Sequence, residues 1–237
     1  MFQTDPFALI IVLVGLSLIP FIAMIATSYL KIVVVMSLIR NALGIQSIPP
    51  NMVINALAMI LTFYIMAPVV SESWTAIVET QKSMVAGQGG QGVARTSNAS
   101  TTQPATFNLS SLDLGKAAEP FRTFLSSHTS PRERAFFINT AETLWGKDGE
   151  PAVVDPESYW ILLPSFCVSE LTKAFQIGFR VYLPFIAIDI IVSNILLAMG
   201  MMMVSPVTIS LPFKLLLFVM VNGWTLLIQG LVKGYIL

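Results

Sequence analysis

Residues 7–30 read FALIIVLVGLSLIPFIAMIATSYL and carry no charged side chain. As an α-helix, a run of 24 residues is long enough to cross the hydrocarbon core of a bilayer, which is ~30 Å thick. The residues before this run include no lysine or arginine, so we expect a retained span and not a secretory signal peptide. The first cations, Lys31 and Arg40, follow the run and predict an N-terminus on the outer side.

Three more apolar runs give the chain four predicted membrane spans, and they cover residues 48–70, 181–204 and 215–232. Of the 237 residues, 55% are hydrophobic and 11% are charged, whereas an average soluble domain has about 25% charged residues. This composition is typical of a membrane protein. The predicted fold is therefore an all-α, membrane-associated one, built of long helical hairpins.

The charge balance and the rare residue types exclude several function classes. Thirteen basic and thirteen acidic residues cancel, which disfavours a nucleic-acid-binding protein. A single Cys167 excludes an internal disulfide framework, and a single His128 leaves little for a zinc site. The motifs HExxH, GxSxG, GxxxxGK[ST] and GxGxxG are absent from the sequence. We expect neither an enzyme nor a bound cofactor or metal.

A polar region separates the apolar runs into two hairpins. The sequence predicts an N-terminal helical hairpin over 1–70, a polar extracytoplasmic region over 71–157, and an amphipathic helix followed by a C-terminal hairpin over 158–237. Within the polar region, 86–111 is rich in Gly, Gln, Ser and Thr and is expected to be a flexible, partly disordered loop. Helical spacing predicts helices over 117–125 and 132–145, the second with a capping box formed by Ser130 and Glu133.

Polar side chains recur along residues 165–180 at helical spacing, and the stripe consists of Ser165, Ser169, Thr172, Lys173, Gln176 and Arg180. This pattern predicts an amphipathic helix that packs against protein or lines a polar space. Glu170 and Lys173 can form an ion pair at i,i+3 on it. A simple solvated face is the alternative. The positive-inside count of this half is poor, so either the topology or the assumption that these helices lie in lipid is wrong.

Asp189 lies inside the third apolar run, where an ionised carboxylate needs a partner or a cavity. Lys214 is the nearest cation in the sequence. With a turn near residues 205–211, Asp189 would lie ~24 Å from the turn and Lys214 ~5 Å, so they would not meet within one regular hairpin. A pair then requires a broken helix or, as we expect, a partner subunit. Alternatively, Lys214 extends to the interface, and Asp189 is protonated or bonds to Ser193 or Asn194.

Methionine is concentrated at residues 199–203, which read MGMMM. Methionine is flexible and fills irregular gaps, so several copies of this loop around an axis could form a deformable seal. Ordinary packing against lipid or core is the alternative for a single helix.

Several strings resemble the FliP/SctR proteins of flagellar and virulence type III secretion systems. They include Thr27–Lys31, Arg40–Gly44, Pro49–Asn51, Met66–Val69, Ser169–Phe179 and Leu211–Lys214. The resemblance covers about residues 7–70 and 159–230. It implies a core subunit of the export gate, a pentamer that conducts unfolded secreted proteins. It also implies SctS/FliQ-like, SctT/FliR-like, SctU/FlhB-like and SctV/FlhA-like partners, and an inner-membrane basal body with much of the assembly on its periplasmic side.

The resemblance also implies roles for individual residues. Met201, Met202 and Met203 match the family's methionine gasket, which closes the pore. Asp189 and Lys214 match an intersubunit charged pair, and Glu170 matches the acidic position of a family motif that also contains Lys173 and precedes Arg180. The lack of a cleavable leader favours the virulence branch. The competing hypothesis is a transporter of small solutes or protons that uses Asp189 as its carrier.

Overall fold

A computed structural model describes residues 6–45, 48–88, 114–146 and 152–236 of the chain. Within these ranges every regular element is an α-helix, which confirms the predicted all-α class. The helices are α1 (Pro6–Ile25), α2 (Tyr29–Ala42), α3 (Asn51–Gln88), α4 (Leu114–His128), α5 (Pro131–Trp145), α6 (Tyr159–Ala198), α7 (Pro206–Met220) and α8 (Gly223–Lys233). Of the predicted flexible loop, residues 86–88 end α3, and 89–111 lie outside the described residues.

Among the described residues, two to four helical segments are long and apolar enough to span a membrane. Asn51–Thr80 of α3 and the whole of α6 are each long and apolar enough to cross a bilayer. The pairs α1–α2 and α7–α8 also qualify if each is counted as one span, although they bend by 60° and 59° at their breaks. The first apolar run is therefore two helices, because the chain leaves the helical conformation at residues 26–28.

The chain divides into two compact units. Unit 1 comprises Met1–Met66 and His128–Leu237, and unit 2 comprises Ala67–Ser127. The sequence analysis placed the first and last segments of the chain in separate hairpins, whereas α2 packs along α6 within unit 1. Long-range packing of this kind leaves no mark on local hydropathy.

The core of unit 1 is the contact between α2 and α6. Ile32, Val35, Met36 and Ile39 on α2 are 0–1% exposed, and burying each such side chain stabilises the fold by ~1.5–3 kcal/mol. The two helices approach closely at Gly178, where an added Cβ would lie 2.3 Å from Leu38 Cδ1. The same cluster continues onto α7 and α8 through Phe218, Leu227 and Leu231.

Helix α5 begins where the sequence predicts, with Ser130 at the N-cap and Pro131 in the first turn. The predicted capping box is wrong, since the Ser130 side chain makes no capping hydrogen bond. Instead, the Ser130 backbone N–H donates to Ser169 Oγ on α6 at 2.9 Å. This bond connects the start of α5 to α6, the helix against which α5 packs.

Helix α6 is one continuous helix of 40 residues, although the sequence analysis treated 165–180 and 181–204 as separate segments. The predicted polar stripe does not occupy one environment. Ser165 and Ser169 are buried, whereas Thr172, Gln176 and Arg180 are exposed. The expected apolar side is also divided, because Ala174 and Gly178 are buried while Phe175 and Phe179 are exposed. The packing of α2 and α5 decides which α6 residues are buried.

Candidate functional site

A hairpin of α6 and α7 carries most of the residues that the sequence analysis selected. Helix α6 ends at Ala198, and the Gly200 and Met201 N–H groups bond back to the carbonyls of Leu197 and Leu196, each at 3.0 Å. Gly200 has a φ of +74°. These bonds and the left-handed glycine form a Schellman motif, a standard helix C-terminus. Helix α7 restarts at Pro206 with Ser205 as its N-cap.

The methionine loop, residues 199–205, is the turn of this hairpin. Met201, Met202 and Met203 are 42%, 82% and 102% exposed. They make no part of the buried cluster of unit 1. The alternative that these methionines pack in the core therefore does not hold within a single chain.

Asp189 and Lys214 form an ion pair within one chain, with Lys214 Nζ 2.6 Å from Asp189 Oδ2. The prediction that they would not meet within one hairpin is wrong. The turn lies at residues 199–205, before the position assumed from hydropathy, because Gly200 ends α6 and Pro206 starts α7. The two residues then lie at similar depths from the turn, ~14 Å and ~12 Å along their helices.

Two further groups complete this pair. Ser210 Oγ donates to Asp189 Oδ1 at 2.6 Å, and Lys214 Nζ donates to the carbonyl of Ala42 at the end of α2 at 3.3 Å. The Lys214 side chain is 4% exposed and that of Asp189 is 35% exposed. Ser210 was not predicted as a partner, although its spacing of four residues from Lys214 places both on one face of α7. The alternative bond from Ser193 or Asn194 is not found among the described residues, and the hydroxyl that binds Asp189 is that of Ser210.

Glu170 is the centre of a second polar cluster, and it is 0% exposed. Its Oε1 atom accepts from Lys173 Nζ at 3.1 Å, as predicted at i,i+3. Its Oε2 atom lies 3.0 Å from Lys31 Nζ on α2 and accepts a hydrogen bond from the Tyr235 phenol. A buried carboxylate needs partners of this kind to remain ionised. The alternative of a solvated face does not describe Glu170.

Tyr235 lies just beyond the end of α8 and connects the other members of the cluster. The Lys31 ammonium is 3.4 Å from the centre of its ring, a cation–π arrangement. His128 packs against the same ring at 5.2 Å between centroids, and Lys173 Nζ donates to the His128 carbonyl at 2.6 Å. Burial, together with the Glu170 carboxylate, raises the pKa of Tyr235 far above its ordinary value. The phenol is therefore a neutral donor at physiological pH.

Lys31 and Tyr235 were not predicted as partners of Glu170. They lie at opposite ends of the chain, so helical spacing could not connect them with α6. One local signal was available for Lys31, since it is a lysine directly after a long apolar run and needs a counter-ion if it is buried.

Arg180 is separate from both clusters. It is exposed on α6, and no ion pair to it is found among the described residues. The described ranges also contain no group of three or more His, Cys, Asp or Glu side chains placed to hold a metal ion. In both clusters the carboxylate is paired with a lysine, Glu170 with Lys31 and Lys173 and Asp189 with Lys214, and the pairs to Lys31 and Lys214 connect different helices.

Comparison with known proteins gives a consistent assignment. The sequence matches the FliP family over residues 12–231. It is 48% identical over 233 residues to the Yop proteins translocation protein R of Yersinia pestis, covering 98% of this chain and 97% of that protein.

Two more relatives have similar coverage. The hypersensitivity response secretion protein HrcR of Ralstonia nicotianae is 43% identical over 96% of each chain. The flagellar biosynthetic protein FliP of Bacillus subtilis is 38% identical over 96% of this chain and 90% of its own length. The chain belongs to the FliP family.

Proposed function

We propose that this chain is a core subunit of a type III protein export gate in a bacterial inner membrane. Several copies would surround a pore that conducts unfolded secreted proteins, and the methionine loops would close the pore at rest. Family membership and the names of the relatives, which describe translocation, secretion and flagellar biosynthesis, support a role in protein export. The identities to the Yop proteins translocation protein R and to the Ralstonia HrcR protein are higher than that to the Bacillus FliP protein, which favours a virulence system.

The dimensions of α6 support an assembly that is only partly embedded in lipid. Its 40 residues extend ~60 Å, about twice the thickness of a hydrocarbon core. The helix also carries Glu170, Lys173, Arg180 and Asp189, which are costly in lipid. Its exposed side bears large apolar side chains such as Phe175 and Phe179. Neighbouring subunits of the same chain and SctS/FliQ-like and SctT/FliR-like proteins are the partners that we propose for these surfaces.

The exposed methionine loop is the observation that carries the gate proposal. Three consecutive methionines lie at the turn of a hairpin whose helices are connected by the ion pair between Asp189 and the buried Lys214. Unbranched thioether side chains adapt to irregular contacts. A ring of such loops could seal the empty pore and also deform around an unfolded chain that passes through it. The gate needs no catalytic group, and the energy for export would come from other components.

Transport of a small solute by Asp189 is less well supported. A carrier carboxylate has to exchange its proton or ion, whereas Asp189 accepts bonds from both Lys214 and Ser210. These partners give the carboxylate a structural role in the hairpin.

The gate proposal is tested by ion leak through the assembled complex. The complex should be co-expressed with its SctS/FliQ-like and SctT/FliR-like partners and reconstituted into liposomes. We expect the wild-type complex to be tight to ions and the triple variant Met201→Ala, Met202→Ala, Met203→Ala to leak, because alanine cannot fill the space between neighbouring loops.

A matched control removes three exposed methionines elsewhere, namely Met52, Met59 and Met220. This control should stay tight if the loop itself forms the seal. An assembled loop variant that is as tight as the wild type would overturn the gasket. Recovery of a stable, solute-transporting monomer that does not co-purify with the partners would overturn the export-gate function.

A further inference from the structure

Helix α8 is attached to the rest of unit 1 by few contacts. Its buried side chains are Leu227 and Leu231, whereas Trp224, Leu226 and Lys233 are exposed. Apolar contacts of this kind are non-directional, so they leave the position of a helix along its axis weakly specified. A directional contact is needed to select one axial position.

Tyr235 supplies the directional contact at the end of α8. Its phenol donates to Glu170 Oε2, and its backbone carbonyl lies 3.4 Å from His128 Nε2. The Lys31 ammonium covers the ring face. A hydrogen bond weakens steeply when its geometry is disturbed, and one helical residue of sliding moves an atom by ~1.5 Å. The Glu170 contact can therefore be made in one register only.

The returning part of the hairpin, α7 and α8, is thus held to α6 at two polar points. Lys214 meets Asp189 near the methionine loop, and Tyr235 meets Glu170 far from it. Glu170 and Asp189 are separated by ~28 Å along α6. Two attachment points this far apart hold both ends of the bent α7–α8 segment against α6, and α7 directly continues the methionine loop.

We propose that Tyr235 is a positioning residue of the export gate, whose bond to Glu170 sets the register of α7–α8 on α6 and thereby the placement of the methionine loop. This inference rests on the proposed function of that loop. The hydroxyl group carries the role, because the ring alone contacts Lys31 and His128 without fixing the distance to Glu170.

The register is measured first, on the full-length protein in detergent, with Cys167 replaced by Ser. Spin labels at the exposed positions Gln176 on α6 and Gln229 on α8 report the distance between the two helices. Tyr235→Phe should shift or broaden the distance distribution. Tyr64→Phe, which removes an exposed phenol on α3, should leave it unchanged. An unchanged distribution in Tyr235→Phe would overturn the proposal.

The effect on the gate is measured second, as ion leak of the assembled complex. Tyr235→Phe should raise the leak about tenfold, the factor expected when a hydrogen bond to a charged group no longer favours one of two registers. If Tyr235 acts through the methionine loop, the same substitution should add nothing to the leak of the triple alanine variant of Met201–Met203. Additive leaks would indicate a general loosening and would overturn the positioning role.

The failures of the two proposals can be told apart. A tight triple alanine variant would contradict the gasket itself. A leaky triple variant together with a tight Tyr235→Phe complex would contradict only the role of Tyr235. Should Tyr235→Phe fail to accumulate, the double substitution Lys31→Met, Glu170→Gln keeps an acceptor for the phenol and leaves no buried lysine without its counter-ion. It should preserve the wild-type distance between α6 and α8; a shifted distance in that variant would overturn the proposal.

Discussion

Lys214 on α7 and Asp189 on α6 lie at matching depths in one hairpin, with 2.6 Å between Nζ and Oδ2. Lys214 is nearly inaccessible, and its second contact is the carbonyl of Ala42. Asp189 is about one-third exposed and retains the Ser210 hydroxyl as a donor. Lys214 therefore depends on Asp189 to balance its charge, whereas Asp189 is also stabilised by water and by Ser210.

This difference predicts an asymmetry between two single substitutions. Asp189→Ala should lower the free energy of unfolding by ~3–5 kcal/mol, because it leaves a buried ammonium without its counter-ion. Lys214→Met should cost only ~1–3 kcal/mol, because water reaches the remaining carboxylate. The double variant Asp189→Asn, Lys214→Met should recover most of the loss, since no unpaired charge remains.

Denaturant titration of the detergent-purified protein measures these free energies. Lys233→Met, which changes an exposed lysine at the end of α8, should be nearly neutral. A larger loss for Lys214→Met than for Asp189→Ala would contradict the difference in exposure on which the prediction rests.

Several helix boundaries were predictable from sequence. The start of α5 after Ser130, the Gly200 end of α6 and the Pro206 start of α7 are local features that backbone chemistry translates directly into structure, whereas the single span predicted over 7–30 is divided between α1 and α2. The methionine loop between Gly200 and Pro206 follows from them. Hydropathy alone extended α6 to residue 204, because methionine and valine are apolar whether they lie in a helix or in a turn.

The partners of the buried charges were not predictable in the same way. Glu170 forms an ion pair with Lys31 and accepts a hydrogen bond from Tyr235. These partners lie far from Glu170 in the sequence, and no helical period connects such distant positions. The Glu170–Lys173 pair was predictable because its spacing is i,i+3. The pairing of Asp189 with Lys214 required the turn to be placed correctly within a few residues, since each residue shifts the depth by ~1.5 Å.

Close contact between α2 and α6 predicts a strict size limit at Gly178. A Cβ at this position would lie 2.3 Å from Leu38 Cδ1 and 3.3 Å from Leu38 Cβ. Gly178→Ala should therefore separate the helices and lower the free energy of unfolding by ~1–3 kcal/mol. Adding Leu38→Ala should restore part of this loss by removing the clashing side chain.

Gly230 on α8 is the matched control for this substitution. A Cβ there has no heavy atom within 4 Å, and alanine is the better helix former by ~1 kcal/mol. Gly230→Ala should be neutral or stabilising in the same titration. A neutral Gly178→Ala would mean that α2 and α6 are not in contact at this point.

The backbone conformation of Gly200 restricts which residues can replace it at the start of the methionine loop. Its φ of +74° lies in the left-handed region, which costs other L-residues ~1–2 kcal/mol, and a Cβ would meet nothing within 4 Å. Gly200→Ala should therefore change the course of the loop through backbone strain alone. Gly200→Asn should be milder, because asparagine tolerates this region.

Liposome leak measurements on the assembled complex rank the two variants. Alanine should leak more than asparagine, and the wild type least. Equal leak from both variants, or a larger leak from the asparagine variant, would contradict a limit set by the backbone conformation of residue 200.

Tyr235 predicts a loss of stability in alkaline solution. Its pKa in the folded protein is raised by burial and by Glu170, whereas a phenol in an unfolded chain titrates near pH ~10. Below pH ~10 both states hold the proton, and the stability contributed by the buried phenol is fully present. Above it the unfolded chain releases a proton that the folded chain retains, so stability decreases by up to ~1.4 kcal/mol per pH unit.

Tyr235→Phe removes this group, so its free energy of unfolding should depend less steeply on pH between about 10 and 11. Unfolding titrations at a series of pH values measure the two slopes, with Tyr64→Phe as the control that should keep the wild-type slope. Parallel slopes for wild type and Tyr235→Phe would contradict a phenol held protonated against Glu170.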